Sequence, residues 1–459
     1  MFSALFGEWV GEKMSFLVLG LGRTGSAVTR YLLTCGETVI VTDDRLSWDS
    51  VPEEFASHPL FRFVPSAELA GCDFAPIKEC IASPGFPPHH PLFSLLMEKG
   101  IPVVSEIEFA ARLVTFPLIG VTGSCGKSTT VALIGHILGR AGFSVFVGGN
   151  FGTALTESLE TPTRWDWGVV ELSSFQLERI TTARFHIATF LNLFANHLDY
   201  HQTLERYFRA KSRIFENQRK EDIGILNFTS PGWQTRLVKG MKARIVPVAV
   251  SKRLQEGFYI QGGKIWEVRA QAREVLSLEQ YSLPGKHNWE NLLVAVAVAR
   301  TIGVGEDLVA EAVSDFRGLP HRLEWVGCVD GVNYFNDSKS TTPAATRVAV
   351  EALGGPLILI LGGKAKIDDF SELVDVFGSG KIKEVIIYGV SRSLIARFIP
   401  PDLPVHLVSS LPEAVAVAKK VARRGDVVLL SPACTSWDQY KDFEERGAHF
   451  RELVVREVS

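Results

Sequence analysis

Net charge of either sign is nearly missing here: 48 basic residues against 51 acidic ones leave a formal charge of -3 over 459 residues. Such a balance gives no general attraction to nucleic acid, which needs a basic surplus. Cysteine is sparse as well. Six are scattered at irregular spacing, with no CxxC pair or Cys/His cluster. That excludes a zinc or disulfide framework and leaves free thiols, as in a reducing cytosol. Long apolar runs are absent: the longest, Leu292–Ala299, falls far short of the roughly 18 residues that span a bilayer. The first thirteen residues, MFSALFGEWVGEK, lack a basic start, a sustained apolar stretch and a small-residue cleavage site. A short amphipathic extension before Met14, a disordered start and an early-assigned initiation codon all stay open. Without membrane insertion, a cytoplasmic location is expected.

What is present suits a multidomain globular protein. Hydrophobic residues are 46% and charged residues 22%, and the length accommodates about three domains of roughly 100–200 residues. The expected boundaries are 1–112, 113–318 and 319–459, with hinges near Arg112–Thr115 and Gly318–Pro320. In the first segment, FLVLG reads as a strand, LGRTG as a turn, AVTRYLLTCG as a helix and ETVIVTDD as the next strand. This alternation predicts a parallel sheet. Gly20, Gly22 and Gly25 form GxGxxG between strand and helix. Asp43 and Asp44 follow where a Rossmann fold places its ribose-binding acid. A tight turn without ligand and a nicotinamide dehydrogenase share the pattern.

The second segment opens with the strand FPLIGV and continues TGSCGKSTTVALIGHILGRAG. Gly123, Gly126, Lys127, Ser128 and Thr129 form a phosphate loop on a helix N-terminus, where backbone N–H groups and the helix dipole favour anions. Lys127 is placed for the terminal phosphates and Ser128 for magnesium. The match to GxxxxGK[ST] is imperfect, because its first glycine falls on Val121. Glu171 ends the strand WGVVE, a natural place for a carboxylate facing Mg²⁺; a solvated strand end is the plain alternative. His197, Asp199 and His201 follow another strand as metal or phosphate candidates, with simple loop solvation preferred for His201. Lys211 lies in RYFRAKSRIFENQ, which by periodicity is a solvated basic helix face. Asn288 and Asn291 share one helix face and suit either a helix cap or a grip on a nucleotide base.

The third segment repeats the strand-turn-helix pattern. Asp337, Lys339, Thr341, Lys366 and Ser436 sit at strand ends, where ligands gather in doubly wound sheets. The Thr342-Pro343 pair marks a helix start. A phosphate loop flanked by two further pocketed sheets points to a nucleotide triphosphate used between two other substrates, one of them anionic.

The motifs TGSCGKST, VVELSSFQLE, NHLDYH, RAKSRIFEN, HNWEN, PHR, NDSKST, LGGKAK and SPACTSWDQYKDFEERG occur in the order seen in Mur ligases and cover almost the whole chain. The chain resembles that family, and ASPGF, VTDDR and the last motif resemble its D-glutamate-adding branch. The resemblance implies three α/β domains: an N-terminal Rossmann-like UDP-binding domain, a central P-loop ATPase domain and a C-terminal Rossmann-like domain. It implies an ATP-dependent ligase of peptidoglycan synthesis, a cytoplasmic monomer, that joins D-glutamate to UDP-N-acetylmuramoyl-L-alanine through an acyl phosphate and a tetrahedral intermediate. It also implies site roles. Ser128 and Glu171 bind one Mg²⁺, and His197 and Lys211 serve a second, Lys211 as a carbamate. Ser124 and Cys125 complete the ATP loop, and Asn288, Asn291, Arg322, Asp337 and Lys339 contact ATP. Thr341, Lys366, Ser436 and Phe443 hold D-glutamate. Arg23, Thr24, Asp43, Asp44 and Arg45, with Gly85, Asn150 and Ser173, lie by the UDP-sugar.

Three positions depart from the family pattern. Cys125 replaces an Asn in the phosphate loop, Asn196 an Asp before the histidine, and Arg23 a smaller apolar residue. The rival readings are a MurE-like or folylpolyglutamate-synthase-like ligase, a dehydrogenase and a binding-only nucleotide module. Against the first, the DNPR signature is absent and LGGKAKIDDF stands in its place.

Overall fold

The structure is a computed structural model that describes residues 14–69, 71–86, 89–229, 232–250, 252–283 and 285–455; the N-terminal thirteen residues lie outside them. The described residues form two compact units, one within 14–278 and 290–312, the other within 279–289 and 313–455. Among the described residues three sheets form, two in the first unit and one in the second. No helix there is long and apolar enough to cross a membrane.

The first sheet comprises β1 (Ser15–Leu19), β2 (Thr38–Thr42), β3 (Phe61–Phe63), β4 (Ile77–Ala82) and β5 (Val103–Ser105), in the order β3-β2-β1-β4-β5. All neighbours are parallel, as the alternating pattern predicts. The helix after β1 spans Arg23–Thr34, starting earlier than the apolar stretch suggested. Two glycines explain the sharp entry. Gly20 has φ +87°, and a Cβ on Gly25 would lie 1.8 Å from the Gly20 carbonyl oxygen. Only glycine at 25 lets the helix start press on the strand end.

The second sheet comprises β6 (Leu118–Thr122), β7 (Val145–Gly149), β8 (Trp167–Glu171), β9 (Ile187–Phe190), β10 (Ile223–Asn227), β11 (Arg244–Ala249), β12 (Gly257–Gln261), β13 (Lys264–Val268) and β14 (Ala272–Ser277), in the order β14-β13-β12-β11-β10-β9-β6-β8-β7. β12 to β14 pair antiparallel and the rest parallel. β6 and β8 carry apolar runs buried on both faces, the signature of central parallel strands. The phosphate-loop strand is thereby held inside the sheet, between β9 and β8.

The join between these two sheets is held by buried carboxylates close to Arg112. Glu108, on the helix Glu106–Ala111, accepts hydrogen bonds from the backbone of Thr181, Thr182 and Ala183 and from both threonine hydroxyls. Arg112 donates to Glu108 at 2.8 Å and to Glu79 at 2.7 Å. Glu106, fully buried, takes the N–H and hydroxyl of Thr156. Burial pushes the Glu108 carboxyl up, but the bonds from Thr182, Thr181 and Ala183 outweigh it and hold it at about 2.

The third sheet comprises β15 (Glu324–Val329), β16 (Val332–Asn336), β17 (Leu357–Gly362), β18 (Ile382–Tyr388), β19 (Val405–Leu407) and β20 (Val427–Leu430), in the order β15-β16-β20-β17-β18-β19. β15 is antiparallel to β16 and the others are parallel. Thr342 caps the helix Pro343–Ala352, its hydroxyl accepting from Ala345 N, so the Thr-Pro pair does start a helix.

Candidate active site

The phosphate loop leaves β6 at Thr122 and enters the helix Lys127–Arg140. Gly126, at φ +82°, makes the left-handed step into that helix, and a Cβ there would collide with Asn291 Oδ1 at 2.2 Å. The first-turn N–H groups have no carbonyl inside the helix and point at the space above it. Lys127 Nζ rests on the carbonyls of Gly123 and Ser124 at 3.1 and 3.3 Å. Ser128 and Thr129 are buried. Asn291 lies against Gly126 and accepts from Thr130 Oγ1 at 3.3 Å. It therefore packs under the loop. Asn288 is also buried.

A residue absent from the sequence-level candidates shapes this loop. Asn192, just past β9, accepts from Cys125 N at 2.9 Å and donates to Cys125 O at 3.2 Å. Its carbonyl accepts from Ser124 N at 3.0 Å. The Cys125 side chain is exposed, so replacing the family Asn leaves the loop backbone fully held. No sequence motif announced Asn192, because its partner lies 67 positions away.

Beside the loop, Glu171 at the end of β8 is buried. Its Oε1 accepts from Asn150 Nδ2 at 2.9 Å, and its Oε2 is buried with no hydrogen-bond partner. Lys211 is no solvated basic-face residue: it is almost wholly buried, with Nζ 3.3 Å from Thr122 Oγ1 and 4.7 Å from the Tyr207 ring centre. Burial, reinforced by the Lys127 charge and opposed by Glu171, lowers its pKa to about 6. Lys211 reaches Thr122 at the loop's start, Glu171 pairs in register with Val121, and Lys127 rests on Gly123, so the three gather at the loop. His197, at φ +52°, packs edge-on to Phe175 and is exposed. His201 departs from the expected loop solvation. It is buried, stacked on Phe175, with Nε2 2.8 Å from Ser174 Oγ. The Asp199 side chain lies outside the described residues. Among the described residues no three His, Cys, Asp or Glu side chains gather as ligands. The donors fit Mg²⁺, which takes one or two carboxylates and completes its shell with hydroxyl, water and phosphate oxygens; the orphaned Glu171 Oε2 is the free carboxylate oxygen it needs.

A cavity of about 400 Å³ opens at the carboxyl ends of the first sheet and reaches the second. Arg23, Thr24, Asp43, Asp44, Arg45, Gly85 and Asn150 line it; Ser173 does not. Ser173 instead heads the short helix Ser174–Leu177 in a capping box with Gln176. Asp43 is engaged with backbone: it accepts from Leu21 N at 2.9 Å and Arg45 N at 2.8 Å. Arg23 bonds the Gly152 carbonyl at 2.8 Å and bridges the two sheets.

In the second unit, Asp337 at the end of β16 is buried, accepting from Ser431 Oγ at 2.8 Å and Leu323 N at 3.2 Å. Burial raises its carboxyl to about 6, against the pull of Ser340 and Ser431. Its oxygens brace neighbouring loops. Arg322 is half-buried between His321 and Leu323, both at positive φ. Lys339 lies over the Phe443 ring at 4.7 Å, and Lys366 donates to Thr341 Oγ1 at 3.3 Å. Ser436 is buried. Arg446, on the last helix and not singled out from the sequence, is fully buried. It bonds Ser338 Oγ, Ser338 O and the Cys434 carbonyl, tying the loop of Lys339 to the loop of Ser436.

Three family models match the chain: Mur ligase MurD-like, N-terminal domain over residues 14–105, Mur ligase middle domain over 121–299, and Mur ligase, glutamate ligase domain over 321–434. UDP-N-acetylmuramoylalanine–D-glutamate ligase of Syntrophus aciditrophicus is 36% identical over 97% of this chain and 98% of its own length. The chain belongs to the Mur ligase family. The like-named ligase of Pelotomaculum thermopropionicum is 38% identical over 96% of this chain and 98% of its own. Among solved Mur ligases, MurF from Thermotoga maritima in complex with ADP covers 97% of this chain and 96% of its own at TM-score 0.60 and 17% identity. At that identity the likeness bears on the fold, and the three-domain α/β architecture is that of the family.

Proposed function

We propose that the chain is the ATP-dependent ligase that joins D-glutamate to UDP-N-acetylmuramoyl-L-alanine in peptidoglycan synthesis, working through an acyl phosphate. The full-length relatives that bear this name support the substrates. The observation that carries the mechanism is the cluster of Lys127, Glu171 and Lys211 at the phosphate loop, with a lysine amine that is neutral at physiological pH.

Each residue has its part in the reaction. First-turn N–H groups and Lys127 hold the ATP phosphates and draw charge from the γ-phosphoryl group as the L-alanine carboxylate attacks it. Ser128 and Glu171 would hold Mg²⁺, and His197 with Lys211 would hold a second ion; the chemistry such ions would supply is neutralisation of phosphate charge. The neutral Lys211 amine adds to carbon dioxide, forming a C–N bond and releasing one proton, and so becomes an anionic ligand. In the second unit, Arg322 and Lys339 serve ATP. Lys366, with Thr341 and Ser436, serves the D-glutamate carboxylates, and Phe443 walls that pocket. The D-glutamate amine attacks the activated carbonyl, and phosphate leaves from a tetrahedral intermediate whose charge the nearby cations stabilise. The 400 Å³ cavity serves the UDP-sugar, and the enzyme acts in the cytoplasm as a monomer.

The test is isotopic. With heavy oxygen in the L-alanine carboxylate, an acyl phosphate transfers one labelled oxygen to inorganic phosphate; unlabelled phosphate would overturn the route. Lys127→Ala and Glu171→Ala should lose turnover while keeping the thermal transition, and full activity in either would refute its role.

A further inference from the structure

The phosphate loop is held in shape from outside itself. Asn192 presents its amide to Cys125 as a neighbouring strand would: Oδ1 takes the Cys125 N–H at 2.9 Å and Nδ2 gives to the Cys125 carbonyl at 3.2 Å. One amide orientation satisfies both bonds. The stitching continues on each side. Ser124 N donates to the Asn192 carbonyl at 3.0 Å, and Ser124 Oγ accepts from Phe194 N at 2.9 Å and donates to Phe194 O at 3.1 Å. Gly123 permits this closeness, since a Cβ there would lie 3.0 Å from Leu191 Cβ. The partner segment, 192–194, leads directly to His197.

We infer that Asn192 is a positioning residue for ATP: it sets the backbone of Ser124–Gly126 so that the helix N-terminus and Lys127 meet the phosphates in a preformed geometry. A preformed loop spends less of its binding energy on ordering, so the effect falls on nucleotide affinity. The same bonds leave the side chain at 125 free of any structural duty, which accounts for a cysteine in that place. The inference rests on the phosphate-loop reading of the proposed function.

The experiment compares the full-length chain with Asn192→Ala and Asn192→Asp, and with Lys127→Ala as reference. KM for ATP, KM for D-glutamate and the thermal transition are measured for wild type and the Asn192 variants, and turnover and the thermal transition for Lys127→Ala. A second readout uses the exposed thiol of Cys125: its labelling by N-ethylmaleimide, located by peptide mass, is followed against ATP concentration. Asn192→Ala should raise KM for ATP and the half-protecting ATP concentration by about tenfold, the worth of one or two lost hydrogen bonds to a fixed backbone. KM for D-glutamate should stay within about twofold of wild type. Asn192→Asp keeps the acceptor for Cys125 N–H and loses only the donor. It decides the matter if the alanine variant does not fold, and should still raise both ATP readouts. Wild-type ATP readouts in a folded Asn192 variant, with Lys127→Ala inactive, would overturn the positioning role alone. Wild-type turnover in Lys127→Ala would overturn the phosphate-loop reading and this inference with it.

Discussion

At the scale of single residues, burial decides chemistry that residue type alone does not. Lys211 in a run of arginines reads as one more surface cation, yet the fold buries it and strips its proton near neutrality. Its amine is free to react above about pH 6 and is protonated below. Activity should therefore fall in buffer depleted of carbon dioxide and return with bicarbonate, and this recovery should fail as the pH drops through about 6. Lys211→Ala should be inactive and partly rescued by short carboxylic acids; wild-type activity without added acid would contradict its role. Cys125 shows the reverse case. Its type looked like a defect in the loop, but its side chain is exposed and Asn192 holds its backbone. Cys125→Asn should keep kcat/KM for ATP within about threefold, measured by phosphate release. Periodicity gave neither outcome, because each depends on partners far along the chain; only the family resemblance pointed to a site role for Lys211.

At the scale of elements, the sequence was most readable where local pattern and tertiary need agree. The GxGxxG turn, the phosphate loop on its helix, and the Thr-Pro helix start all appear where spacing predicts, since glycine and proline set backbone geometry locally. Element joints were less readable. Around Arg112, bonds from Glu108 and Arg112 join the first two sheets, and residue type alone does not announce those partners. The Glu108 carboxyl sits at about 2 folded against 4.5 free. Its stabilisation is thus complete above 4.5 and is lost as the pH falls from 4.5 toward 2; linkage makes it on the order of 3 kcal/mol. Glu108→Gln should lower the melting temperature by about 5 °C at neutral pH, with the gap to wild type shrinking under acid. An equal gap at both would refute the clamp. Arg446 likewise joins loops, bonding Ser338 and the Cys434 carbonyl.

At the scale of the whole molecule, motif order along the chain carried the functional reading further than any single site. The phosphate loop by itself supports nucleotide binding. The family match over nearly the full length supplies the second substrate and the incoming amino acid. What the order of motifs could not convey is which loops the sheets bring together, and there the structure adds Asn192 and Arg446.

The most direct test of the central claim is phosphate release from ATP with UDP-N-acetylmuramoyl-L-alanine and one amino acid at a time. D-glutamate should drive release well above background, while L-lysine and diaminopimelate should not. Equal release with all three, or release driven by lysine or diaminopimelate in place of D-glutamate, would contradict the account.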